Sequence, residues 1–154
     1  MSLKTKALSE KLAHVARENA VAVAEDVPVG IALNLMRERE ADCLSVCRAG
    51  KLVGVFTERD YLMKVAGKAS SDEPISKYMT PDPIMGRLDE TVGEAVEVMN
   101  ERHLRHLPLV DEKGAPASVV TVDDVIRWLA DQYPAAVVNR PPDPRTEGEE
   151  SDGA

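Results

Sequence analysis

Residues 29–39, VGIALNLMRER, return as VGEAVEVMNER at residues 92–102, and FTERD at 56–60 returns as VTVDD at 120–124. The offset is 63 residues for the first pair of segments and 64 for the second, so one residue is inserted between them. Repetition at a fixed offset indicates a duplicated structural unit. Two copies in one chain predict two equivalent surfaces related by a pseudo-two-fold axis, and clefts between the copies are the first candidates for function.

Length and charge restrict the kind of protein. The chain has 154 residues, about one average domain, and 44% of them are hydrophobic, which excludes wholesale disorder. No apolar run approaches the roughly 20 residues that span a membrane, and the N-terminus lacks a secretory signal, so we expect a soluble, cytoplasmic protein. A net charge of -8 argues against a nucleic-acid partner.

Hydrophobic spacing predicts the same elements in both copies. An amphipathic helix over residues 3–18 comes first. Each copy then has a strand, a helix, two strands around a turn, and a second helix. The predicted elements are strands at 20–24, 42–47 and 52–56 with helices after Pro28 and at 60–65, then strands at 84–85, 106–110 and 117–120 with helices after Thr91 and at 124–132.

The fold class predicted from this order is α+β. Each copy of about 50 residues is too small to bury a core alone, so the two β-α-β-β-α repeats should pack sheet against sheet. The expected division is a lead-in helix at 1–17, a first repeat at 18–67, a linker at 68–79, a second repeat at 80–133 and a disordered acidic tail at 134–154.

Neither a disulfide nor an active site is expected. Cys43 and Cys47 would lie on one face of a strand, about 13 Å apart at strand rise, which is too far to bridge. The three histidines have no acid or thiol at metal-ligand spacing, and no Ser-His-Asp set is present. We therefore expect no metal and no catalysis, and small apolar strand positions for the cysteines.

Three segments carry a family resemblance: GVFTERDYL at 54–62, YMTP at 78–81 and RHLPLVD at 105–111. Together with the element order, they resemble the cystathionine β-synthase (CBS) domain, from about residue 18 to 131. A tandem pair resembles a Bateman module. The resemblance implies a regulatory module that binds an adenosyl ligand, AMP, ADP, ATP or S-adenosylmethionine, and signals through its shape or oligomeric state. It also implies a homodimer and a separate protein target.

A Thr-x-x-Asp motif lies where a strand passes into a helix in each copy. Backbone N–H groups at a helix start favour an anion, and a carboxylate there can accept both hydroxyls of a ribose. Thr57 and Asp60 form the first motif, and Thr121 and Asp124 the second. The alternative is that the threonines are helix N-caps and the aspartates are first-turn acids that the helix dipole favours.

The resemblance also implies that each cleft takes its ribose aspartate from one repeat and other contacts from the other. The first cleft then contains Thr57, Asp60, Ile84, Met85, Arg105 and His106. The second contains Val21, Ala22, Arg59, Thr121 and Asp124, with Asp42 and Cys43 nearby. Because the first cleft carries more cations, we expect it to hold phosphate better. We therefore expect the two sites to differ, with the Asp60 cleft as the better candidate for a nucleotide.

Two alternatives remain open for the whole chain. The first is a structural interaction module without a physiological nucleotide, and the second is a thiol-responsive stress protein that uses Cys43 or Cys47. The apolar stripes on residues 3–18 and on the closing helix, at Val125, Ile126, Trp128 and Leu129, fit either a dimer surface or packing within the chain.

Overall fold

Two β-sheets form the framework of the chain in a computed structural model that describes residues 2–17 and 20–133. The first sheet has the order β1-β2-β3-β4 and the second β5-β6-β7. In each sheet the opening pair is parallel and the following pairs are antiparallel. The strands are β1 (Ala22–Ala24), β2 (Cys43–Arg48), β3 (Lys51–Thr57), β4 (Thr80–Pro81), β5 (Gly86–Arg87), β6 (His106–Val110) and β7 (Pro116–Thr121).

Helices pack on these sheets, which confirms the predicted α+β class. The helices are α1 (Leu3–Leu8), α2 (Leu12–Val15), α3 (Val29–Glu38), α4 (Glu58–Asp60), α5 (Val92–Glu101) and α6 (Val122–Gln132). Helix α4 continues into a π-helical turn at Tyr61–Val65, and a 3-10 turn occupies Ile75–Lys77. Within the described residues, no helix is long and apolar enough to cross a bilayer.

The repeated helices α3 and α5 show why the pattern is a good predictor. Helix α5 begins with the predicted capping box: Thr91 Oγ1 accepts from the Glu94 amide at 3.2 Å, and Glu94 Oε2 accepts from the Thr91 amide at 3.0 Å. Val92 and Met99 are buried on the inner face, as their counterparts are in α3. Spacing at three and four residues therefore places both helices correctly.

Each repeat has its own hydrophobic core. The first core consists of Val23, Val29, Ala32, Met36, Leu44, Val46, Phe56, Val65 and Ile75. The second consists of Leu12, Val15, Val92, Ala95, Met99, Leu107, Leu109, Val120 and Val125. Three members lie outside the predicted repeats: Ile75 falls in the expected linker, and Leu12 and Val15 fall in the expected lead-in helix.

The prediction of one continuous helix over residues 3–18 is wrong. The chain leaves the helix between α1 and α2 because its backbone pairs with the segment before α5. Leu12 N donates to the Glu90 carbonyl at 2.8 Å, and Val92 N donates to the Glu10 carbonyl at 2.8 Å. Leu12 and Val15 are buried in the second core, so this part of the stripe packs within the chain.

Residues 73–78 make the same contacts on the first repeat. Ile75 N donates to the Val27 carbonyl at 2.8 Å, and Val29 N donates to the Glu73 carbonyl at 2.8 Å. These four positions are each 63 residues away from their counterparts around Leu12. We call residues 10–15 the first arm and residues 73–78 the second arm. The first arm precedes the first repeat but packs on the second, and the second arm packs on the first.

Glycine permits the close approach of the chain at both helix starts. A Cβ on Gly30 would lie 3.0 Å from Ser71 Cβ, and a Cβ on Gly93 would lie 3.1 Å from the Leu8 carbonyl oxygen. Both distances are tighter than ordinary van der Waals contact. The glycine that both copies share is thus explained by the backbone that crosses it.

The strand predicted at residues 84–85 is displaced to Gly86–Arg87, and Ile84 and Met85 are exposed. Gly86 pairs with Leu109, and a Cβ on Gly86 would lie 2.9 Å from a Leu109 methyl group. The pairing therefore begins where the chain has no side chain to clash. The predicted tail at 134–154 lies outside the described residues.

Candidate functional site

Asp60 and Thr57 form a reciprocal capping box at the start of α4. Thr57 Oγ1 accepts from the Asp60 amide at 3.3 Å. Asp60 Oδ2 accepts from the Thr57 amide at 3.0 Å and from the Thr57 hydroxyl at 3.2 Å. The N-cap alternative thus describes the local geometry of this motif correctly.

The second carboxylate oxygen of Asp60 is also engaged. Oδ1 accepts from Thr80 Oγ1 at 3.1 Å and from Lys64 Nζ at 2.9 Å, and the same ammonium donates to the Tyr78 carbonyl at 3.2 Å. A carboxylate offers about four acceptor positions, and four donors from the chain surround this buried one. A ribose can bond to Asp60 only by displacing one of them.

Asp124 repeats the capping box but keeps acceptor capacity. Its Oδ2 accepts from the Thr121 amide at 2.9 Å, and its own amide donates to Thr121 Oγ1 at 3.1 Å. Of the charged groups in the described part of the chain, only Arg127 approaches Oδ1, at 3.7 Å, which is beyond hydrogen-bond range. The two aspartates share a helix position but differ in the occupancy of their outer oxygen.

A cavity of about 130 Å³ opens beside the second motif, between the two repeats. It brings together four residues expected in or near the second cleft: Val21, Asp42, Cys43 and Thr121. Asp124 adjoins it through its bonds to Thr121. Ala22, the first residue of β1, follows Val21 and is exposed. Arg59 is also exposed and does not line the cavity.

The residues expected in the first cleft are less closely grouped. Thr57 and Asp60 are bonded to each other. His106 Nε2 instead lies 3.1 Å from Asp42 Oδ2, which joins residues assigned by sequence to different clefts. Ile84, Met85 and Arg105 are exposed, and no hydrogen bond or ion pair joins them to Asp60 in the described structure.

Sequence reasoning missed six residues at these sites. Arg39, Glu40, Ala41 and Val119 also line the cavity, and Lys64 and Thr80 bind Asp60. Glu40 has a positive φ of 50°, as its counterpart His103 does with 54°, so the chain turns sharply after α3 and α5. The offset of 63 pairs residues 39–40 with the basic residues Arg102 and His103, and this match could have pointed to Arg39 and Glu40. Lys64 could have been found because it lies four residues after Asp60, a spacing at which side chains on a helix meet.

Burial changes the chemistry of the cysteines, both of which are free thiols. Desolvation, together with the smaller effect of the Asp42 and Asp60 charges, raises the pKa of the Cys43 thiol to about 12. Desolvation also raises the pKa of Cys47. Since the thiolate is the reactive form, the thiol-responsive alternative receives no support from Cys43.

We therefore expect Cys43 to resist alkylation in the folded protein. With a pKa near 12, roughly one thiol in a thousand is ionised at pH 9, so labelling should rise about tenfold per pH unit without a plateau near pH 9. Iodoacetamide followed by peptide mass spectrometry should find Cys47 labelled first, and both thiols labelled in urea. Labelling of Cys43 at the same rate with and without urea would contradict this expectation.

Residues 2–17 and 20–133 contain no group of three or more His, Cys, Asp or Glu side chains that could hold a metal ion. The geometry offers a small cleft at a repeat boundary, with a partly open carboxylate at a helix start. Such a cleft can accept polar groups such as vicinal hydroxyls.

The profile of the CBS domain family matches residues 12–67 and 75–131. The chain belongs to the CBS-domain family. The two matched CBS domains are a tandem pair, and each begins inside the arm that precedes it, at positions 63 residues apart. This agrees with the equivalence of the two arms in the fold.

Individual CBS proteins are similar over most of this chain. An uncharacterized 17.7 kDa protein of Acidianus ambivalens is 31% identical over 82% of this chain and 77% of its own length. The inosine-5'-monophosphate dehydrogenase of Thermoplasma acidophilum is 30% identical over 76% of this chain, which covers only 24% of that enzyme. The crystal structure of CBSX2 in complex with AMP superposes with a TM-score of 0.67, at 26% identity over 80% of this chain and 98% of CBSX2.

Proposed function

We propose that this CBS pair is a regulatory module that binds an adenosyl ligand, AMP, ADP, ATP or S-adenosylmethionine, and acts by binding without catalysis. The observation that carries the proposal is the cavity that Val21, Asp42 and Cys43 of one repeat form with Thr121 of the other. A ligand there contacts both repeats, so its binding free energy depends on their relative position. The AMP complex of CBSX2 supports the ligand class.

The second cleft is the better candidate for the ribose. Among residues 2–17 and 20–133, no donor lies within hydrogen-bond distance of Asp124 Oδ1, whereas four surround the Asp60 carboxylate. The greater number of cations near the first cleft remains an argument for phosphate there, and Arg105 is exposed and available. The contacts nevertheless favour Asp124 over Asp60 as the ribose-binding group.

Binding should change the shape of the module. A cavity of about 130 Å³ is smaller than the roughly 300 Å³ at which ligand pockets begin, so a nucleoside has to widen it. The contact between Asp42 Oδ2 and His106 Nε2 at 3.1 Å links the two repeats beside this cleft, and widening the cleft would strain it. We propose that this movement is the signal.

A second copy of this chain and a separate protein target are the proposed recipients of the signal. Helical and neighbouring surfaces expose apolar side chains that a partner could cover, namely Ile31, Leu62, Met63 and Ile126, each more than half exposed. Trp128 and Leu129, by contrast, pack against the second core. Helix α6 thus packs within the chain through Trp128 and Leu129 and exposes Ile126 to a partner.

Isothermal titration of the whole chain with AMP, ADP, ATP and S-adenosylmethionine tests the proposal. Asp124→Ala should weaken binding by about tenfold or more, because a charge-assisted pair of hydrogen bonds to the ribose is lost. Asp123→Ala is the matched control, since it removes the same charge from the next residue, which is exposed. Sedimentation with and without ligand measures any change in association. No heat with any of the four ligands at millimolar concentration would refute the proposal.

The interaction-module alternative is supported at the first cleft by one observation. Asp60 joins α4, β4 and, through Lys64, the second arm, which is a structural role that leaves its carboxylate engaged. If Asp60 substitutions alter stability but no ligand affinity, the first cleft is structural.

A further inference from the structure

The residues that line the second cleft differ in charge from the residues at the equivalent positions of the other repeat. Arg39, Glu40 and Asp42 line the second cleft, and their counterparts at an offset of 63 are Arg102, His103 and Arg105. The three residues of the second cleft thus include two carboxylates, whereas their three counterparts in the other repeat include none. The difference arises from substitutions at equivalent positions, so it does not follow from the fold that the repeats share. We call Arg39, Glu40 and Asp42 the rim of the second cleft.

Asp42 is fixed at this rim. Its Oδ2 lies 3.1 Å from His106 Nε2, while two thirds of its side chain is exposed to solvent. Glu40 is next but one in sequence, and the turn between them holds Glu40 at a φ of 50°. Arg39 is the one cation among the lining residues that the structure describes, and an anion bound to it would lie close to both carboxylates.

The inner wall of the cleft is uncharged. Val21 and Val119 contribute apolar surface, and Cys43 is a buried, protonated thiol. An uncharged base and sugar suit such a wall, and Asp124 Oδ1 can accept from the sugar hydroxyls. A phosphate group would instead meet like charge at Asp42 and Glu40, which discriminates against it.

We propose that the second cleft selects an adenosyl compound without a phosphate group, either uncharged or cationic. This inference rests on the proposed function and specifies the ligand class of that same site. A cationic side chain on the ligand, such as one with a sulfonium or ammonium group, is complementary to Asp42 and Glu40 at the rim. The Asp42 carboxylate acts as the specificity-determining group, and Asp124 acts as the ribose acceptor.

The test is titration of the full chain with adenosine, S-adenosylmethionine and AMP. At the second cleft, identified as the binding that Asp124→Ala abolishes, adenosine and S-adenosylmethionine should bind at least tenfold more tightly than AMP. Asp42→Arg should reverse this order, strengthening AMP about tenfold or more and weakening S-adenosylmethionine. Glu112→Arg, the same reversal of charge at an exposed residue that does not line the cleft, should leave the Asp124-dependent order unchanged. Asp42→Asn has the same shape without the charge and should bring the affinities for AMP and adenosine together.

The outcomes separate this inference from the function on which it rests. Binding of AMP at the Asp124-dependent site as tightly as adenosine, or an unchanged AMP-to-adenosine ratio in both Asp42 variants, overturns the inference and leaves the adenosyl sensor intact. Absence of binding by every adenosyl compound overturns both. Circular dichroism of each variant confirms the fold, and if Asp42→Arg does not fold, Asp42→Asn alone decides.

Discussion

Leu12→Ala is expected to lower the free energy of unfolding by about 2–5 kcal/mol, the range for removing a fully buried leucine side chain. Leu12 is 0% exposed and packs in the second core, although it lies far from that core in sequence. Ile75→Ala should cause a similar loss, because Ile75 is the equivalent residue of the second arm and is also 0% exposed. Urea unfolding followed by circular dichroism measures both changes.

Leu8→Ala is the matched control for the arm. Leu8 is 37% exposed, so its truncation should cost less than about 1 kcal/mol. Because the two cores are joined by the arms, each variant should still unfold in a single transition. If Leu12→Ala costs no more than Leu8→Ala, the first arm does not stabilise the second repeat in solution.

Asp60→Ala should be the second large loss, of about 3 kcal/mol. The substitution removes the buried acceptor of four donors and leaves the exposed Lys64 ammonium without its carboxylate. Asp124→Ala should cost about 1 kcal/mol, the usual loss of a helix cap, since in the described part of the chain the nearest charged donor to Oδ1, from Arg127, is 3.7 Å away. Thermal and urea unfolding compare the two variants directly.

Asp60→Asn separates charge from shape at this position. The amide oxygen can still accept from the Thr57 backbone, but the attraction to Lys64 is lost, so an intermediate loss of stability is expected. Equal losses from Asp60→Ala and Asp124→Ala would show that the additional donors around Asp60 contribute nothing. Combined with the ligand titrations, the comparison assigns stability mainly to one aspartate and binding to the other.

Local patterns predicted the elements, while contacts between distant segments determined the rest. The capping box of Thr91 and Glu94 is written in adjacent residues, and the apolar spacing of α3 and α5 reports burial directly. The break between α1 and α2 depends on Glu90, which is far away in the chain. A local stripe cannot reveal such a partner, so the lead-in helix was predicted too long.

The candidate site divides in the same way. The Thr-x-x-Asp spacing is enough to predict that Thr57 and Thr121 cap helices and bond to their aspartates. The approach of Thr80 to Asp60 and the contact between Asp42 and His106 depend on how strands from different parts of the chain are arranged. The resemblance to the CBS domain grouped His106 with Asp60, whereas packing places His106 beside Asp42.

The crossed arms also determine what can be transplanted. A segment cut out at residues 20–67 would lack Ile75, and the remainder of the chain would lack Leu12 if it were trimmed at residue 20. The hydrophobic core of each half would then contain a cavity the size of a large aliphatic side chain. The smallest segment that keeps both cores complete is the pair of repeats with both arms, so a fusion that grafts this CBS pair onto another protein has to begin before residue 8.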